Sequence, residues 1–565
     1  MKKALPVFIA ILLIMLIGGG IVGKKLYDKF SYGKEEADLN DYFGVSDGEL
    51  AIIVQNTTLE QKALEKNGHS YYDFDTVNKY FNKNFYVDSV QNLIIYTDAV
   101  ESTKVYVDDN GYTNASGRHD TDIPLATMVG DKLYMSDTLI QMFTNMTVNL
   151  YDRHVQIYMR WDAKEVAKVK KDTQVRVAGG IKSKILCQLK AGAKVEVLET
   201  MDTWSKVKSP DSIIGYVENK MLIEHDTVRP ERPVIYEAPE FQWQQHDGKI
   251  CLGWHSIAGA GGNDTLSETI KGTKKLNVIA PTWFSLNDNQ GGFRDFGSNA
   301  YVDRAHANNL QVWGVLDNFN YRNETGESVS ELAVLSSTPN REKLVQNITN
   351  ACISYNLDGL NIDFESLSSE CGPHFAQFIR ELSVSLHNAG KSLSVDNYVP
   401  NSGNEFYRYD VQGVYADYVI IMGYDEHWHG CGEPGSVSSI DFVVSGINRM
   451  IEKVPAAKVV NAVPFYTILW KTQGVEVTDE YLTIANTPDF ITRNGLQPTW
   501  DDTTCQNYSE WTKGDVEYRI WFEDAESLRA KLSAMQTNNI AGVAIWRLGY
   551  GNSAAWAEIA EYMGQ

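Results

Sequence analysis

The chain has 565 residues, enough for about three or four domains of ordinary size. Its formal net charge of −22 excludes nucleic acid as a partner, because a phosphate backbone demands a basic footprint. Six cysteines with no CxxC pair and no histidine-rich spacing argue against a zinc site, and no metal or cofactor is expected.

Ala4–Gly23 carries no charge, with Lys2 and Lys3 before it and Lys24, Lys25 and Lys29 after it. About 20 apolar residues span a bilayer, and no small-residue cleavage site is evident. Residues 1–30 are therefore expected to be an uncleaved transmembrane signal anchor. The flanking lysines leave orientation open; the three-residue stub before the anchor and the chemistry argued below favour a body outside the membrane. There, disulfides are permitted, and Cys371, Cys431 and Cys505, in loops at one end of the last domain, are the candidates. Cys251 and Cys352 sit in apolar runs and read as buried thiols.

Residues 45–161 hold short β-prone runs (Leu50–Val54, Asn92–Tyr96, Val155–Trp161) and a helical stretch at Phe74–Phe81. Leu125–Ser136 repeats the style of Tyr71–Phe81. The region reads as a small α+β accessory domain, and it resembles the N-terminal module shared by copper amine oxidases and bacterial surface proteins, without copper ligands. Residues 166–224 read as short strands separated by turns: Val175–Val177, a turn at Gly192 before Val195 and Val197, Trp204–Val207 and Gly215–Val217. This pattern resembles the bacterial SH3-like domain, which implies either a wall-peptide binder or a spacer. Residues 228–245, with Pro230, Pro233 and Pro239, read as a stiff linker.

From residue 248 to 564 buried-strand runs alternate with helical stretches. The runs are Ile250–Ile257, Leu276–Leu286, Leu310–Phe319, Leu357–Ser366, Ser392–Pro400, Tyr418–Asp425, Val459–Leu469 and Gly542–Gly549. Strand–helix alternation of this kind predicts an α/β fold, a (β/α)8 TIM barrel. The gap after the fifth strand is the weakest. The long seventh gap, about 470–521, predicts a small inserted subdomain.

The fourth run is the most informative. Leu360, Ile362 and Phe364 alternate with Asn361, Asp363 and Glu365. Residues two apart share a face of a strand, so an amide and two carboxylates point one way and an apolar set the other. Carboxylates are costly to bury and are rarely found in a barrel interior for packing alone. Other strand ends are polar or aromatic as well: Trp283, Asp317, Asn318, Asn397, Tyr398, Tyr424, Asp425, Tyr466 and Trp546.

Asp358-Gly-Leu-Asn361-Ile-Asp363-Phe-Glu365 is similar to the D-x-x-D-x-D-x-E signature of glycoside hydrolase family 18, the chitinase-like family. Met422-Gly-Tyr424-Asp425 is similar to its sixth-strand motif, Gly542–Trp546 to its last strand, and Ile520–Leu528 to the return from its insertion. With the SH3-like segment and the anchor, the whole resembles the spore-cortex and cell-wall branch. The resemblance implies substrate-assisted retaining hydrolysis of a β-1,4-linked N-acetylglucosaminyl polysaccharide, peptidoglycan rather than chitin, in a membrane-anchored wall enzyme. It implies Glu365 as general acid, Asp363 as partner of the sugar acetamido group, and Tyr424 as donor to the acetamido oxygen. Asn361, Asp358, Asp425, Trp546, Trp283, Asn397 and Tyr466 are the expected substrate-binding residues.

The chain departs from the family at two places. Asn361 stands where the family usually has aspartate; loss of that neighbouring charge predicts a more readily ionised Asp363, with the amide still free to hydrogen-bond. The third-strand S-x-G-G of chitinases is replaced by Leu310–Phe319. The alternative is a non-hydrolytic, lectin-like wall protein using the same groove.

Overall fold

A computed structural model describes residues 5–320, 322 and 326–564. The chain forms two compact units. One comprises Met1–Phe85, Val105–Thr113 and Arg118–Ala238; the other comprises Tyr86–Lys104, Asn114–Gly117 and Pro239–Gln565.

In the first unit a helix covers Leu5–Phe30. Its Phe8–Phe30 stretch is long and apolar enough to cross a membrane, and it buries nothing against the protein. Lys2, Lys3 and Ala4 lie outside the described residues. A seven-stranded sheet places Glu49–Val54 between Thr57–Lys66, antiparallel, and His154–Tyr158, parallel. The helical stretch at Phe74–Phe81 forms as one short α turn followed by a π turn. A second seven-stranded sheet runs from Lys164–Val169 to Leu222–Val228. Val195 and Val197, Val207 and Val217 alternate into its core, together with Phe43, Ala51 and Ile53 from the first sheet. The Ile214–Glu218 strand needs its glycine: a Cβ at Gly215 would lie 2.6 Å from the Arg176 carbonyl oxygen and 2.5 Å from Val175 Cγ1.

The second unit is built on eight parallel strands: β1 (Ile250–His255), β2 (Val278–Pro281), β3 (Gln311–Asp317), β4 (Gly359–Asp363), β5 (Ser392–Tyr398), β6 (Tyr418–Met422), β7 (Val459–Pro464) and β8 (Gly542–Trp546). Each pairs with the next, and β8 pairs with β1, so the barrel closes. All eight fall inside the runs read from the sequence. Ile250, Leu252 and Trp254 on β1, Ile420 and Met422 on β6 and Ala544 on β8 fill the interior. Cys251, Leu360, Ile362, Val395 and Ile421 pack outward against helices that include Thr338–Ser354, Gly372–Asn388 and Ile440–Ile451. The weak gap after β5 holds a short 3-10 turn, Glu405–Tyr407, and a seven-residue α-helix, Tyr409–Tyr415. After β7 the chain leaves the barrel for a five-stranded antiparallel sheet running from Tyr466–Gln473 to Val516–Phe522, with the helix Thr487–Asn494.

Tyr86–Lys104 joins the barrel through its own polar groups. The Asp88 carboxylate accepts from the Thr338 N–H (3.1 Å) and hydroxyl (2.6 Å), satisfying the start of the Thr338–Ser354 helix. Gln377 donates to the Thr97 hydroxyl at 3.0 Å. The fully buried Arg341 forks onto Glu381 at 2.8 and 3.0 Å. All six cysteines are unbridged, and Cys251, Cys352 and Cys371 are buried. Cys371, Cys431 and Cys505 therefore form no disulfide, contrary to their selection as candidates.

Candidate active site

The strand β4 carries its polar row into the barrel. Asn361 is fully buried and Asp363 is 9% exposed, while Leu360 and Ile362 face the helices. Glu365 follows just past the strand. Its backbone is clamped by the Asn318 side chain, which accepts from the Glu365 N–H at 2.9 Å and donates to the Glu365 carbonyl at 2.8 Å. Ser366, with φ 55°, then turns the chain away. Glu365 is thus held by a reciprocal amide pair rather than by a flexible loop.

The Glu365 side chain lines a groove of about 1170 Å³, together with Tyr398, Tyr407, Tyr424, Asp425 and Trp428. The Tyr398 hydroxyl donates to Glu365 Oε2 at 2.7 Å. Burial raises the proton affinity of Glu365, and the charges of Asp425 and Asp317 raise it further against the opposing Tyr398 hydrogen bond. The direction of the shift, toward the protonated form, is the one a general acid requires. Asp363 is held well above the usual carboxylate range, first by burial and then by the charges of Asp396, Glu365 and Asp317. Its Oδ1 is buried and has no hydrogen-bond partner among the described residues. A buried acceptor left unpaired is costly unless something arrives to fill it. Among the described residues no group of three or more His, Cys, Asp and Glu is disposed to hold a metal ion.

Residues 325–551 match Glycosyl hydrolases family 18 and residues 171–223 match Bacterial SH3 domain. The barrel is a family 18 glycoside hydrolase domain. Among similar chains, the uncharacterized glycosylase YvbX of Bacillus subtilis is 24% identical over 295 residues, spanning 50% of this chain and 84% of that one. The cortical fragment-lytic enzyme of Bacillus anthracis is 26% identical over 249 residues, spanning 42% of this chain and 57% of that one. This chain therefore covers little more than half the length of that enzyme. In fold, the barrel is similar to the crystal structure of a chitinase from Chromobacterium violaceum, with 24% identity and a TM-score of 0.50 over 56% of this chain and 100% of that one. It is likewise similar to the Bacillus cereus spore cortex-lytic enzyme SleL, with 21% identity and a TM-score of 0.50 over 57% and 76% of the two chains.

Within this family 18 domain, Glu365, Asp363, Tyr424, Asp425, Tyr466 and Trp546 come together at the C-terminal ends of the strands. Tyr424 is buried beside Tyr466, edge to face with ring centres 6.3 Å apart. The Tyr466 hydroxyl donates to Asp425. Trp546 is half-buried against Trp254, with centroids 6.0 Å apart.

Four expected substrate-binding residues sit elsewhere. Asp358 lies at the opposite end of β4, where Oδ2 accepts from the Val312 N–H at 2.8 Å and meets His306 Nε2 at 2.8 Å. Trp283 is fully buried, its indole N–H donating to Asn263 at 2.8 Å and its ring packed on Tyr301. Asn397 exchanges hydrogen bonds of 2.7 and 3.0 Å with Gln412 on the outer helix. The two-residue period of β5 explains it: Asp396 and Tyr398 face inward, so Asn397 cannot. Asn361 faces inward but is one layer too deep. Its Oδ1 accepts from the Trp254 indole at 2.9 Å, and its Nδ2 donates to Ser394 Oγ at 2.9 Å and to Asp396 Oδ1 at 2.8 Å.

With Asn361 at this position Asp363 still has an acidic neighbour, because Asp396 on β5 adds its charge to the effect of burial and raises the Asp363 proton affinity. Sequence reasoning noted Asn318 and Tyr398 at strand ends without assigning them to the site, and it passed over Asp396. The alternation Ser394–Asp396–Tyr398 is the same period-2 signal that singled out β4.

Proposed function

We propose that the chain hydrolyses β-1,4-linked N-acetylglucosaminyl bonds by substrate-assisted retention, with bacterial wall peptidoglycan as the substrate. The observation that carries this reading is the unpaired, buried Asp363 Oδ1 next to an acid of raised proton affinity at the edge of an aromatic groove. Glu365 gives its proton to the glycosidic oxygen. The carbonyl oxygen of the sugar's own 2-acetamido group attacks the anomeric carbon as the leaving sugar departs. Asp363 Oδ1 accepts the acetamido N–H and balances the positive charge of the oxazolinium ion. The Tyr424 hydroxyl donates to the acetamido oxygen and keeps it aimed. Glu365, now ionised, takes a proton from the water that opens the ring, and retention results from two inversions. Trp546 offers a face for the reacting sugar.

Wall glycan is favoured over chitin by the cortical fragment-lytic relatives, by the SH3 segment and by the Leu5–Phe30 helix, which we read as a single-pass anchor with the body outside. Recovery of the full chain in the soluble fraction after cell lysis would refute the anchor. The enzymatic reading is tested by reducing-end release from purified cell wall and from chito-oligosaccharides. Glu365→Gln is expected to lose about 10²–10⁴-fold in rate, the usual worth of a positioned acid. Equal activity of wild type and E365Q ends the proposal, and saturable binding without release selects the lectin-like alternative.

A further inference from the structure

The row of acids that meets Asp363 is set by strand register. On one side Asp317 of β3 pairs directly with Asp363. On the other, Asn361 pairs with Ser394 of β5 and Ile362 with Val395, so one step further Asp396 comes level with Asp363 on the same inward face. Neighbouring strands lie about 4.8 Å apart, so Asp317, Asp363 and Asp396 form a row across three adjacent strands. All three are at most 9% exposed.

The hydrogen bonds within this row are unequal. Trp254 Nε1 can only donate, so the Asn361 atom it meets is the oxygen. Both hydrogens of the Asn361 amide are then committed, one to Ser394 Oγ and one to Asp396 Oδ1. Asn361 has no hydrogen left for Asp363, whose Oδ1 remains unpaired. Asp317 accepts from the Ser285 hydroxyl at 2.5 Å and the Phe319 N–H at 3.1 Å. Burial raises the proton affinity of both flanking acids as well, but each has a donor that opposes the rise, and Asp363 Oδ1 has none among the described residues.

Resting on the reading above, we propose that Asp396 is a positioning residue for the reaction: its carboxyl group, held on the Asn361 amide, keeps the proton on Asp363 until a substrate N–H arrives, when that proton is released to solvent and the substrate N–H takes its place on the carboxylate. Burial and then the Asp396 charge both raise the proton affinity of Asp363. The other titratable groups that act on Asp363 are Glu365 beyond β4 and Asp317 on β3; Tyr424 beyond β6 and Tyr407 also face it, and the Arg294 charge acts on Asp317. Substrate binding is then coupled to ionisation of the residue that must balance the oxazolinium charge.

The test compares wild type, Asp396→Asn and the charge-swapped N361D/D396N on a chito-oligosaccharide, reading kcat/KM against pH. D396N is nearly isosteric and still accepts from the Asn361 amide. Its acid limb is expected to move down by about one pH unit or more, the usual effect of removing a close like charge. N361D/D396N is expected to return the limb toward the wild-type position. A D396N profile that superimposes on wild type or moves upward overturns the proposal, as does a double variant that stays with D396N.

An infrared titration gives a readout that needs no turnover. The protonated-carboxyl band missing from Asp363→Asn identifies Asp363, and it is expected to titrate at lower pH in D396N. An unchanged titration refutes the role of Asp396 even if no glycan is cleaved. A wild type inactive on every glycan, with the infrared shift present, removes the proposed activity alone.

Discussion

Tyr398→Phe isolates one hydrogen bond to the acid. The Tyr398 hydroxyl stands 2.7 Å from Glu365 Oε2 and stabilises the ionised carboxylate over the protonated one. Among the described residues its other hydroxyl contact is Ser366 Oγ at 3.5 Å, and its ring keeps an edge contact with Tyr407 after substitution. A hydrogen bond to a charged group is worth about 1.5–3 kcal/mol. At about 1.36 kcal/mol per pKa unit this corresponds to roughly one to two units, and water entering from the groove favours the lower end. The sign follows from the protonation that the reaction requires. Glu365 works as an acid while protonated, so the alkaline limb of kcat/KM tracks its ionisation. Loss of the donor disfavours the carboxylate, raises the proton affinity further and moves the alkaline limb to higher pH by about one unit. The assay is the pH profile of kcat/KM for a soluble chito-oligosaccharide. A limb that stays in place or moves to lower pH refutes the assignment of Glu365 as the acid held by Tyr398.

Asp363→Asn is expected to raise Tm at neutral pH while removing activity. A carboxyl whose proton affinity is raised by folding stabilises the protein below its unfolded pKa of about 3.9, and that stabilisation is lost as pH climbs toward the raised folded value. The Tm advantage of D363N over wild type should therefore grow from acid toward neutral pH; a pH-independent difference contradicts the buried row of acids. Glu381→Ala leaves Arg341 charged and fully buried with its principal partner gone. It is expected to destabilise the barrel by about 3–5 kcal/mol, seen as a lower urea midpoint for the barrel transition, and a change below about 1 kcal/mol would mean that the site relaxes or floods.

Local periodicity carried the barrel. Eight apolar runs and their spacing were enough to place every strand, because a buried strand must present apolar residues whatever its neighbours are. The same rule turned Asn361 and Asp363 inward and brought Glu365 to the strand end. It also held the signal for Asp396 and Tyr398, and choosing Asn397 by its polarity instead of its parity put the expectation on the wrong face. Trp283 failed for a related reason: a tryptophan at a strand end is equally at home in the helix-facing core, and Asn263, twenty residues away in sequence, satisfies its N–H.

What sequence alone determined, then, is the set of strands, the inward row on β4 and the family to which the barrel belongs. The environment of that row was decided by tertiary structure. Whether Asp363 feels one acidic neighbour or three depends on which residues of β3 and β5 lie level with it, and that register is set by closure of the whole barrel. The attachment of Tyr86–Lys104 to the barrel helices rests likewise on Asp88 meeting Thr338, residues 250 positions apart. Charges act through space across strands that periodicity treats one at a time, so the raised proton affinity of Asp363 can be read only once the strands are side by side.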